Sequence, residues 1–138
     1  MVDGPTEAVD HQLTETNRAI VRSFVESVLI NGESDRLKDY IIKGTYAEHN
    51  PRLIDDVSTL EMELQASDND DRSINYQQIH RVLAEGNFVL CVSEGFSGEN
   101  HCAFYDLFRI EDGKLAEHWD TTEKIAPQSE WNNDNGKF

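Results

Sequence analysis

The run AFYDLFRIEDGKLAEHWD, residues 103–120, sets Asp106, Arg109, His118 and Asp120 among Phe104, Tyr105, Phe108 and Trp119. Burying a carboxylate among aromatic rings costs on the order of several kcal/mol unless it is paired or protonated. A strand that keeps one is therefore a candidate for chemistry. His118 and Asp120 are two residues apart and share one face of a strand. A carboxylate and an imidazole in one apolar pocket titrate as a coupled pair. Such a pocket suits removal of a proton from carbon beside a carbonyl: one group takes the proton while a second acid or donor stabilises the enolate. Nucleophilic catalysis fits less well, because no serine sits in a GxSxG elbow. Glycine-rich phosphate and dinucleotide motifs are absent.

Whether Asp106 joins His118 and Asp120 depends on the turn at Asp112-Gly113. A three-residue loop with Gly113 as a left-handed bulge pairs Ile110 with Lys114, and so Asp106 with His118 and Phe104 with Asp120. One face then carries Phe104, Asp106, Phe108, Ala116, His118 and Asp120. A two-residue loop pairs Glu111 with Lys114 and puts Asp106 opposite Trp119. The first register is favoured, although Asp-Gly suits the second turn as well.

Two more histidines could reach the pocket. His49 lies in TYAEHNP, a polar corner made with Tyr46, Glu48, Asn50 and Pro51, and fixed by the extended residue before proline. It reads either as a group at a cavity mouth or as part of a corner in which Asn50 caps a helix. His80, in YQQIHRVLAEG, is either a pocket group or a satisfied strand histidine. His11 and His101 read as exposed. No HxH or HExxH pair is present, so neither a metal nor a cofactor is expected.

Helices come first in the chain. Apolar residues from Leu13 to Leu29 recur at helical spacing and stop at Asn31-Gly32. Ser34 caps a short helix to about Tyr40, and a third is predicted over 51–66, with Pro51 in its first turn. After the acidic run SDNDD the period changes to two, giving strands over 74–85, 88–95, 101–110 and 114–125. Helices followed by a strand meander signify an α+β domain. A curved antiparallel sheet wrapped around the N-terminal helices makes a cone whose mouth can hold a ligand.

The chain has 138 residues, enough for one domain, with the core expected over about 10–127 and extensions at 1–9 and 128–138. Its formal net charge of -15 repels nucleic acid phosphates and anionic membranes, so neither is an expected partner. Cys91 and Cys102 fall in adjacent strands. Cross-strand pairing is conceivable, but with no secretory signal two reduced core thiols and a cytoplasmic location are expected.

YAEHNP after two helices, then IHRVLAEGNFVL, then AFYDLFRIEDGKLAEHWD resembles the SnoaL-like polyketide cyclase branch of the nuclear transport factor 2-like superfamily. The resemblance covers roughly residues 10–127 and is most specific in the DLFR, EDGK and EHWD segments. It implies an α+β cone, a homodimer through the sheet, and cofactor-free acid/base chemistry of the aldol cyclase or isomerase type on a small apolar or aromatic carbonyl compound. It also implies Asp106, His118 and Asp120 as catalytic groups, with His49, His80, Phe104, Phe108 and Trp119 around the substrate. Which aspartate is the base stays open. The alternatives are a non-catalytic small-molecule-binding dimer of the same fold and, more remotely, a metal-dependent hydrolase.

Overall fold

The computed structural model describes residues 3–51 and 73–138. The amphipathic N-terminal segment forms α1, Thr14–Phe24, and continues as a π-helical stretch, Val25–Ile30. Val21, Phe24, Val25 and Val28 form its buried face, at the three-to-four spacing that puts side chains on one side of a helix. Gly32, at φ 71, ends the stretch in the left-handed conformation glycine adopts without a Cβ penalty. The short α2, Leu37–Tyr40, buries Leu37 against the same core. The helix predicted over 51–66 and the acidic run after it lie outside the described residues.

Five strands follow the order β1-β5-β4-β3-β2 in one sheet. They are β1, Ala47–Glu48; β2, Ile74–Glu85; β3, Phe88–Ser97; β4, Asn100–Glu111; and β5, Lys114–Lys124. The four long strands match the expected ones to within two residues at either end. One correction concerns direction. The sheet is mixed, because β1 runs parallel to β5 with Glu48 beside His118. The chain leaving α2 is drawn along β5 by backbone bonds: Ile42 N–H donates to Leu115 O at 3.0 Å and His49 N–H to His118 O at 2.9 Å.

The sheet is curved and unclosed, and its inner face packs on the helices. There the ring of Phe24 meets Phe108 edge-on, with centroids 5.6 Å apart. Both cysteines are buried and free. Cys91 pairs with Asp106 and Cys102 with Gly95, so they sit four strand positions apart, about 13 Å at the usual rise per residue. A disulfide cannot span that. Among the described residues no helix is long and apolar enough to cross a membrane.

Candidate active site on the inner face of the sheet

The turn at Asp112-Gly113 has two residues, not three. Glu111 pairs with Lys114 and Ile110 with Leu115. Asp112 and Gly113 both take positive φ, 49 and 73, as the mirror-image turn of a two-residue hairpin requires. The favoured register is therefore corrected, yet Asp106 does not end opposite Trp119. The register steps by one between Arg109 and Ile110, leaving Ala116 as the extra residue of a β-bulge. Past the bulge Phe108 faces His118, Leu107 faces Trp119, and Asp106 faces Asp120. Asp106, His118 and Asp120 thus share the inner face with Phe104 and Phe108, by a route neither simple register contains.

His118 stands at the centre of a buried chain of polar groups. Its Nε2 lies 3.1 Å from Asp106 Oδ1, and its Nδ1 lies 3.0 and 3.1 Å from the two oxygens of Glu48. Side-chain exposure is 1% for Asp106 and 2% for Glu48. Each carboxylate also takes a tyrosine hydroxyl. Tyr46 donates to Glu48 at 2.7 Å, and Tyr76 reaches both oxygens of Asp106 at 3.0 and 3.2 Å. The Asn50 backbone N–H donates to Glu48 at 3.0 Å. The ring of His118 stacks on Phe108, centroids 4.7 Å apart.

With a carboxylate oxygen at each ring nitrogen, both nitrogens of His118 must carry a proton to donate, which makes the ring an imidazolium. The energetics agree. Burial alone would lower its pKa, but the hydrogen bonds to Asp106 and Glu48 and the charges behind them outweigh burial and push it up to about 10. For Glu48, burial acts upward but is outweighed by the bond and charge of His118, so its pKa falls below the ordinary value. Burial chiefly raises the hydroxyl pKa of both Tyr46 and Tyr76, and the adjacent carboxylates raise it further, so both remain donors.

Asp120 is placed differently. It is half-buried and accepts one described hydrogen bond, from Asn50 Nδ2 at 2.9 Å. Its pKa is raised, by burial first and then by the charges of Asp106 and Glu48 against the opposing pull of His118. Like charges facing each other across two strands are ordinarily destabilising. Asp106 is neutralised by His118, while Asp120 keeps the carboxyl that binds protons more tightly than usual. It has the attributes of a general base; Asp106 has those of an anchor.

Tyr76 reaches Asp106 because β2 is bent. Register breaks at Gln77 and His80 separate it from a regular ladder, and Tyr76 pairs with Gly95. A Cβ on Gly95 would lie 1.9 Å from Asn75 O and 3.0 Å from the Phe104 ring, so only glycine lets the strands approach here. Tyr76 then packs on Phe104 with centroids 4.4 Å apart.

Three of the expected pocket residues lie elsewhere. Trp119 alternates with His118 and Asp120 and points to the outer face, where His49 stacks on it at 4.4 Å and bonds Glu117 at 3.1 Å. Arg109 holds the same Glu117. His80 also lies on the outer face, bound to Glu94 at 2.7 Å. His49, His80 and His118 therefore do not converge. Glu48, Asn50, Tyr46 and Tyr76 belong to the site but were not expected there. The signal was one residue from His49, since extended neighbours alternate in direction and Glu48, not His49, faces His118.

No protein-family model matches the chain, and no curated protein matches it significantly. Solved structures do resemble it. A proposed ketosteroid isomerase from Kribbella flavida DSM 17836 is 15% identical, with TM-score 0.69 over 91% of this chain and 93% of that one. A proposed SnoaL-like polyketide cyclase from Jannaschia sp. CCS1 is 12% identical, with TM-score 0.64 over 87% and 92%. An LEH-like epoxide hydrolase from M. tuberculosis is 19% identical, with TM-score 0.58 over 80% and 84%. Identities this low speak to architecture alone. The chain has the nuclear transport factor 2-like fold that these structures share.

Proposed function

We propose that the protein is a cofactor-independent acid/base enzyme that removes a proton from carbon beside a carbonyl in a small apolar or aromatic substrate. Asp120 is the base. Its carboxylate takes the proton, the C–H electrons move into the carbonyl to give an enolate, and the neutral acid returns the proton at the end of the turnover. The observation that carries this reading is the unequal pair across β4 and β5: Asp106 is engaged by His118 and Tyr76, while Asp120 is half-exposed with raised proton affinity. Two carboxylates held in different environments are how one site separates its roles. His118 acts as a fixed positive charge between Glu48 and Asp106 and orients them. The likeness to proteins described as ketosteroid isomerases and polyketide cyclases supports the reading without selecting the activity.

Deuterium exchange at candidate carbon acids tests it. Asp120→Asn should reduce exchange by about 10²-fold or more, the scale of general-base catalysis, with the fold kept. Asp106→Asn should lose activity together with stability. Unchanged exchange in both variants would sink the proposal and leave the non-catalytic binding module. We further propose a homodimer through the outer face, where Leu90, Leu107 and Trp119 are only half-buried; light scattering reads this directly.

A further inference from the structure

The outer face carries a second cluster of titratable groups that the proposed chemistry leaves unused. Glu94 on β3 accepts from two imidazoles, His80 Nε2 on β2 and His101 Nε2 on β4, each at 2.7 Å. An aromatic ring lies against each imidazole. Phe96 stacks on His101 with centroids 5.3 Å apart, and Phe138 stacks on His80 at 4.0 Å with the rings 8° from parallel. Phe138 arrives from the segment that follows β5. That segment turns through Gln128–Glu130, fixes Trp131 by a 2.7 Å bond from Nε1 to Ala126 O, and pairs Lys137 with Glu123 of β5. Between this segment and the end of β5 is an open cavity of about 250 Å³, lined by Ile125, Trp131, Asn133 and Lys137 among others. The segment is thus pinned at a few points, with space beneath it.

We propose that residues 126–138 form a strap whose seat on the outer face is set by protonation of His80, so that the strap closes as pH falls and loosens as pH rises. The face of an aromatic ring attracts a cation, so the seated Phe138 favours the imidazolium form of His80 over the neutral ring. The facing groups act in both directions. Glu94 on β3 favours the imidazolium; its own pKa is lowered by the bond to His80 first, with burial opposing and His101 adding, so it stays ionised through the window. His101 on β4 shares Glu94. Lys137 on the strap repels a charged His80, but Glu123 on β5 and Tyr105 on β4 hold it. Histidine is the side chain whose charge can change between about pH 5 and 8.

The test uses the full chain. Phe138 ring proton shifts by NMR, and hydrogen exchange of residues 126–138 corrected for the intrinsic rate, are followed from pH 8 to 5. The seated-to-free ratio should rise about two- to fivefold as pH falls, the ratio that an exposed cation–π contact gives. His80→Gln keeps a donor for Glu94 but cannot titrate in this range, and should flatten the response with the strap still seated. Phe138→Leu should loosen the strap at every pH. Strap protection that stays constant from pH 8 to 5, or a response that persists in His80→Gln, would overturn the proposal. Unchanged far-ultraviolet circular dichroism shows that each variant is folded.

Discussion

Asp106 and Asp120 face each other directly across β4 and β5, although the hairpin turn that joins these strands would by itself set Asp106 opposite Trp119. The bulge at Ala116 moves β5 by one residue, and with it every side chain beyond changes face. His118 and Asp120 are inside, and Trp119 and Glu117 outside, for that reason. The imidazolium and three carboxylates that result make the site's stability and its chemistry respond to pH in separable ways.

Stability should fall on the alkaline side. The pKa of His118 is raised in the folded state to about 10 from an ordinary 6.5, so its contribution is fully present below pH 6.5 and is lost as pH rises through about 10. Denaturant unfolding from pH 6 to 10.5 should show a decline in the wild type that His118→Gln lacks. A parallel decline in both proteins would mean that His118 is neutral in the native state.

Removing the hydroxyl of Tyr76 should loosen Asp106. A hydrogen bond to a charged group is worth about 1.5–3 kcal/mol, so Tyr76→Phe should lower unfolding free energy by that amount and slow exchange as Asp106 loses its anchor. Tyr46→Phe acts on Glu48 in the same way. Stability unchanged in both variants would mean that neither hydroxyl supports its carboxylate.

The bond from Asn50 lowers the proton affinity of Asp120 against the larger effect of burial. In Asn50→Ala the pKa of Asp120 should rise further. The base is then protonated at a higher pH, and the acid limb of the rate profile moves upward while the plateau above it changes little. A limb that stays in place would remove Asp120 from the role of base.

At Gly95 the added methyl of alanine would meet Asn75 O and the Phe104 ring. Forcing β2 outward should cost about 1–3 kcal/mol, as overpacking does, and should draw Tyr76 away from Asp106. Gly95→Ala should therefore show a lowered Tm together with the activity loss of Tyr76→Phe.

The strands, their order along the chain and the first two helices were legible in the sequence because period-two and helical patterns are local. Asp106, His118 and Asp120 were legible because carboxylates and imidazoles on aromatic strands are costly to keep. The bulge was not, since Leu115 and Ala116 are both apolar and nothing local says which residue is skipped. Nor was the parallel pairing of β1, a contact of 70 residues' separation between Glu48 and His118. His49 was selected over Glu48 by residue type, whereas the backbone direction of a two-residue strand decided which side chain pointed inward. Tyr76 depended on a bend that two irregularities and one glycine produce together.

Glu48 reaches the site on β1, two residues on the edge of the sheet, joined to β5 by a few backbone bonds. So short an edge element can detach in a local opening that costs less than unfolding the whole domain. Each such opening would carry Glu48 away from His118 and admit water to Nδ1, leaving β4 and β5 intact. The proposed active site would then have a lifetime of its own, shorter than that of the fold around it. Hydrogen exchange at the amide of His49, which donates across to β5, is where that lifetime would be read.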